Sequence, residues 1–334
     1  MTQIVLVSIG AAAASALMFA ALASGSILAV GLFYLAPLPV LLAGMAWSHV
    51  AGFAAAVIAA VALGAFLGRW FIFAHLIGVG LPAALLGYLA LLARPAPTPS
   101  APDRLEWYPA GRLVLASAVV AALSVSLVIP AFGLDFESFR AAFKSALERV
   151  LRLQTATPAG QPVRLPGGGD PSRLLDLLVV ALPPMAAVLM MVTNLANLWF
   201  AGRIARSSGR LRRPWPDISA MTFPVATPIA LVIAVGLSLL SGLVSLLAAI
   251  FAATLLTAYA IMGFAVLHGI TRGLGSRPFI LGALWVLVLI IGWPLILVAI
   301  VGLADGMLDL RGRVARRRGP PNTPTLPGNP NRQE

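Results

Sequence analysis

Leu35–Gly68 reads LAPLPVLLAGMAWSHVAGFAAAVIAAVALGAFLG, two uncharged apolar runs parted by Ser48 and His49. Each run approaches the ~20 residues that a helix needs to cross the hydrocarbon core of a bilayer. The stretch therefore predicts two membrane helices, Ile27–Trp47 and Val50–Gly68, meeting at a short polar break. Pro37 and Pro39 lie inside the first of them. A proline lacks the backbone donor and its ring clashes with the preceding turn, so the carbonyls it strands need partners from neighbouring helices, side chains or water. Broken helices beside closely packing small-residue helices form solute sites in many carriers. The alternative is a kink that only shapes the bundle.

The whole chain has this character. Of 334 residues, 60% are hydrophobic and 10% charged, whereas charge alone runs near ~25% in soluble globular domains. An all-α polytopic transmembrane bundle is the expected fold. The chain contains no cysteine, which removes disulfides, thiolate metal sites and cysteine nucleophiles together. The net charge of +12 rests almost wholly on arginine, Lys144 being the single lysine. Basic loops in such a chain read as cytoplasmic loops facing membrane lipids, and no nucleic acid is expected as a partner.

Further apolar runs occupy 4–23, 71–93, 113–134 and 174–201. The first ends in Ala21-Leu22-Ala23, like a signal-peptide cleavage site, but no Lys or Arg precedes it, so it reads as a retained span. Ala12, Ala16 and Ala20 share one face of it and suit close helix packing or docking of a partner. Arg69-Trp70 marks an interface, and Pro95–Pro102 (PAPTPSAP) a polar connector. The insertion 135–173 begins as an amphipathic helix, with Asp135 as N-cap and Phe136, Phe139, Phe143 and Leu147 on one face. Its second half, 157–170, reads as loop, and its glycines lack the residues of a phosphate loop. RIARSSGRLRRPWPD, 203–217, carries five arginines and is the clearest cytoplasmic signal. Residues 223–270 read as two runs joined near Ser241-Gly242, and 279–303 as the last run, before a basic tail.

That makes nine candidate spans. Placing both arginine clusters on one side favours eight, with one run after Pro224 re-entrant or half-buried, and puts the C-terminal tail in the cytoplasm. The expected organisation is a six-span region 1–201, a basic loop 202–222, a membrane block 223–310 and a disordered tail 311–334, in the bacterial inner (cytoplasmic) membrane.

The Pro-Leu-Pro step with its following glycines, the sixth span with its asparagines running into Arg203, MGFAVLH at Met262–His268, and the ending with Gly302, Asp305, Asp309 and Arg311 resemble the YybS-like family of bacterial membrane proteins. The first six spans are similar in turn to the S components of energy-coupling-factor transporters. The resemblance implies a solute-binding subunit without enzymatic activity, with Ala12, Ala16 and Ala20 matching the face that docks on an energising transporter subunit. S components usually stop after six spans, and this chain adds a further hydrophobic block.

Catalytic residues, metal ligands and cofactors are not expected: His49, His75 and His268 lie in separate runs, and no HExxH or intramembrane acid pair occurs. Asn194 and Asn197 share a helix face and must meet protein, water or solute. Asp305 and Asp309 lie one turn apart, with Arg313 placed to pair with Asp309. The leading expectation is a protein that binds, and helps transport, a small weakly charged solute at Pro37, Pro39, His49, His75, Asn194 and Asn197. The alternative is a scaffold or regulator that recruits partners through its amphipathic and arginine-rich segments.

Overall fold

The computed structural model describes residues 1–97, 102–155, 157 and 170–318, with Arg318 described by its backbone alone. The tail beyond 318 and most of the loop 157–170 therefore lie outside the described residues. Seven of the described helices are long and apolar enough to cross a membrane, and three shorter ones are also apolar.

The first crossings are α1 (Thr2–Ala20), then α2 (Ile27–Leu35) and α3 (Pro37–Ala46), which together make one broken span, and α4 (His49–Leu67). The break falls where Pro37 begins α3, because at a first helical position a missing N–H costs nothing. The Ser48 hydroxyl accepts the Val50 N–H at 3.2 Å and starts α4. The fourth span comprises α5 (Trp70–His75), a π-helical turn at Leu76–Gly80, and α6 (Leu81–Ala90). α7 (Ala110–Ser126) follows, then the amphipathic α8 (Phe136–Gln154) and α9 (Pro171–Ser207). At 37 residues α9 is about 55 Å long, so it overruns a hydrocarbon core of ~30 Å.

The proline-rich connector is not wholly irregular. β1 (Ala93–Pro95) pairs antiparallel with β2 (Leu105–Trp107), and Arg94 faces Glu106 across the ribbon at 2.7 Å. Alternation is too short there to signal strands, and the pairing is made by the two chain ends that α6 and α7 bring together.

The chain divides into two compact units, Met1–Asp217 with Met221–Ala258, and Ile218–Ala220 with Tyr259 onward. The division falls inside α11 (Gly242–Ile270), not at the basic loop that composition marks. In the first unit the core is built from small residues: Ala12 of α1, Ala55, Ala56 and Ala59 of α4, and Ala83 and Ala84 of α6, around Val40, Leu41 and Met45. Lipid tails are as apolar as leucine, so helices associate through close van der Waals packing, which alanine and glycine permit. A Cβ on Gly52 would lie 3.0 Å from the Gly44 Cα. A second cluster joins Ala122 of α7, Phe139 of α8, Val179 and Ala187 of α9, and Leu246 and Ile250 of α11.

The C-terminal runs divide more finely than apolarity suggests. Gly242, at φ +77°, separates α10 (Thr227–Ser238) from α11, and Gly292, at φ +79°, separates α12 (Arg277–Ile291) from α13 (Pro294–Leu308). The 279–303 run, read above as one crossing, is thus two helices of 15 residues, about 22 Å each. At 12 residues, or about 18 Å, α10 is also short of a full crossing. In the second unit α13 crosses the end of α11 with backbones almost touching: Gly263 faces the Val298 carbonyl, and Gly302 the Tyr259 carbonyl. Below that crossing Asp305 pairs with Arg311 at 2.7 Å, and Arg311 also donates to the Ser219 carbonyl at 2.7 Å. Asp309 takes a left-handed conformation that ends α13, and its carboxylate meets Arg316 at 3.2 Å, not Arg313. The last described helix is α14 (Leu310–Arg318), so the first part of the tail expected to be disordered is helical.

A Gly302→Val side chain has no room at this crossing and is expected to lower the unfolding temperature of the detergent-purified protein sharply. Gly282→Ala, where a Cβ meets nothing within 4 Å, should leave it unchanged or raise it.

Candidate functional site

The helix break between α2 and α3 leaves backbone carbonyls inside the membrane region, and side chains from two other spans reach them. Ser15 of α1 donates to the Ala36 carbonyl at 2.8 Å. Asn197 of α9 donates from Nδ2 to the Tyr34 carbonyl at 2.8 Å and to its own Thr193 carbonyl at 2.8 Å. His75, fully buried at the start of the π turn, places Nε2 3.0 Å from the Ser15 oxygen. A serine hydroxyl has one proton, and Ala36 receives it, so His75 donates Nε2–H to Ser15. That assigned tautomer leaves Nδ1 as a bare acceptor without a partner. It is also the wrong way round for general-base activation of Ser15, which would require histidine to accept the serine proton.

Of the residues expected to form a solute site, Pro37, His75 and Asn197 therefore meet at the break, with Pro39 half-buried in the same first turn of α3. Asn194 is buried one turn from Asn197, and its Nδ2 has no partner among the described residues. His49 lies elsewhere, exposed at the start of α4 with its ring edge-on to Tyr88. Of the alanine stripe on α1, Ala12 is buried in the chain's own core, while Ala16 and Ala20 are half-buried. Ser15 escaped the sequence reading. Its one signal is a hydroxyl set among the alanines of a packing face, and that carries meaning only once the break is known to lie opposite.

A larger feature lies on the other side of the π turn. Within it the helix gains a residue per turn, so His75, Val79 and Gly80 point into the core while Ala74, Ile77 and Gly78 line a cleft. Gly80 makes this possible: a Cβ there would meet Ala56 at 2.9 Å. The cleft has a volume of about 1300 Å³ and is walled by Trp70 and Phe73 of α5, the end of α7, and Leu182–Val192 of α9, with Ser124 its one side-chain hydroxyl. Phe132, Phe139 and Phe143 close one end of it. Their rings pack with centroids 5.1 to 6.2 Å apart.

Helix α8 brings two of those phenylalanines. Asp135 starts it through a reciprocal capping box with Ser138, whose hydroxyl and N–H hold the Asp135 carboxyl below the usual carboxylate range. Asp176 of α9 then ties it down, with Lys144 at 2.7 Å and Arg140 at 3.2 Å. This amphipathic helix thus turns its phenylalanines onto its own chain.

A family described as "Predicted membrane protein (DUF2232)" matches residues 12–306. No curated protein and no solved structure matches the chain.

Asn197→Leu leaves the Tyr34 carbonyl without its side-chain donor and is expected to cost about 1–3 kcal/mol in unfolding equilibria, with Asn194→Leu costing less. Because the chain has no cysteine, Phe143→Cys gives a single thiol that reports on α8. Adding Asp176→Asn weakens both ion pairs, and the thiol should then react faster with a maleimide.

Proposed function

The chain belongs to this DUF2232 family of predicted membrane proteins, and on that footing we propose that it binds a lipophilic, weakly charged small molecule that enters the cleft sideways from the bilayer. One observation carries the reading: a cleft of about 1300 Å³ among membrane-crossing helices, with walls mostly apolar and capped by three phenylalanines. Ligand pockets for drug-sized molecules run to roughly 1,000 Å³ and are mostly apolar. A highly charged solute would need an intramembrane counter-charge, and no charged residue lines these walls. At the break Ser15 and Asn197 Nδ2 are engaged with backbone carbonyls, while His75 Nδ1, Asn194 Nδ2 and Asn197 Oδ1 have no partner among the described residues; the solute is assigned to the cleft because the cleft supplies the volume, and the break holds the wall behind it.

The reading is of capture without catalysis, in a bacterial inner membrane with the arginine-rich end in the cytoplasm. It agrees with the S-component resemblance in kind. Ala12, part of the face such proteins use for docking, is committed to the chain's own core, so an energising subunit would have to meet another face. Recruitment of partners through α8 is the less favoured reading, because Phe139 and Phe143 already pack inward.

Gly78→Phe provides the test, since a Cβ at Gly78 meets nothing within 4 Å and Gly78 lines the cleft. Native mass spectrometry of the wild type should show a co-purified lipophile other than phospholipid, and the filled variant should lose it while keeping its unfolding temperature. A wild type that carries only phospholipid, or an equal load in both proteins, would sink the proposal.

A further inference from the structure

At the opposite end of the first unit, the five-arginine segment is folded onto tryptophans. Arg203 lies 5.6 Å from the Trp199 ring and 5.7 Å from that of Trp215, Arg206 lies 5.5 Å from Trp215, and Arg210 lies 4.5 Å from Trp47. Arg213 is the buried member and locks the segment in place. It donates to the Ala90 carbonyl at the end of α6 at 2.9 Å, and to the Tyr108 carbonyl ahead of α7 at 3.3 Å. Burial lowers the Arg213 guanidinium below its usual value, yet an arginine starts so far above neutrality that it stays charged.

Arg203, Arg206, Arg210 and Arg212 are exposed, and among the described residues none of them forms an ion pair. That is four like charges between 203 and 212 at the end of a membrane-crossing helix, none of them ion-paired among the described residues. A guanidinium lying over an indole is held without spending its N–H groups on a protein acceptor, and their fork matches phosphate oxygens. Trp47 and Trp215 are half-buried and Trp199 is exposed, and tryptophans near the ends of membrane helices favour headgroup depth, where lipid phosphates are concentrated and soluble anions are not.

We infer that Arg203, Arg206 and Arg210, held on Trp199, Trp215 and Trp47, form a binding site for the phosphate headgroup of an anionic phospholipid. The site lies apart from the cleft, and its failure would leave the solute reading untouched. Arg212 adds charge to its rim, and Arg213 is a positioning residue that sets the segment against α6 and α7.

The purified full chain, titrated with phosphatidylglycerol or phosphatidylcholine and followed by native mass spectrometry, tests this directly. Phosphatidylglycerol should bind more tightly than phosphatidylcholine, and Arg203→Gln/Arg206→Gln should weaken it by about tenfold. Arg173→Gln, an exposed arginine on α9 far from the segment, should leave binding unchanged. Arg203→Lys/Arg206→Lys should recover only part of the loss, since lysine keeps the charge but not the fork. Equal affinity for the two lipids, or an unaltered double Gln variant with an unchanged unfolding temperature, would overturn the site. Displacement of the lipid by millimolar inorganic phosphate would overturn the choice of a lipid and point to a soluble anion.

Discussion

The constraint on which the first unit depends is that a carbonyl inside a membrane must have a donor. The second span breaks where α3 restarts at Pro37, and the hydrocarbon around the break offers its carbonyls no donor. The donors come instead from α1 and α9, through Ser15 to Ala36 and Asn197 to Tyr34. The first contact joins consecutive spans, 21 residues apart, and the second joins residues 163 apart, so the break becomes a cross-brace of the bundle. His75 extends the brace to the fourth span by donating to Ser15.

Around this brace the two sides of the fourth span serve different ends. Its π turn sends His75 and Gly80 into the small-residue core and presents Gly78 and Ile77 to the cleft. A regular α-helix repeats every 3.6 residues, and the wider turn shifts that register locally. Polar satisfaction and an apolar cavity thereby sit back to back on one helix. Fixed by the brace on one side, the cleft is closed on the other by α8, whose phenylalanines enter it and whose basic residues reach Asp176.

Much of this was legible in the residues. Apolar length found the first six spans within a few residues of their ends, because a crossing helix needs about 20 apolar residues and polar caps mark its limits. The N-cap at Asp135, the amphipathic pattern of α8 and the joint at Gly242 were equally readable, each being a local matter of capping, periodicity or glycine. Asn197 stood out because a carboxamide in hydrocarbon needs a partner. Which partner it takes was not readable, since Tyr34 lies 163 residues away. Ser15, the β-ribbon beside the connector and the pairing of Asp309 with Arg316 carry no distinctive local pattern, and they emerge only from what the folded chain places nearby.

Composition and apolar periodicity by themselves determined that this is a helical membrane protein, where most crossings run and where its helices break, because burial in lipid acts on each segment separately. The tertiary structure alone decided what the breaks and faces are for. Ala12 of α1 packs inward, the amphipathic helix folds onto its own bundle, and the apolar cleft forms from five helices that no sequence period relates. Those outcomes depend on contacts between distant segments, and distance along the chain is blind to them.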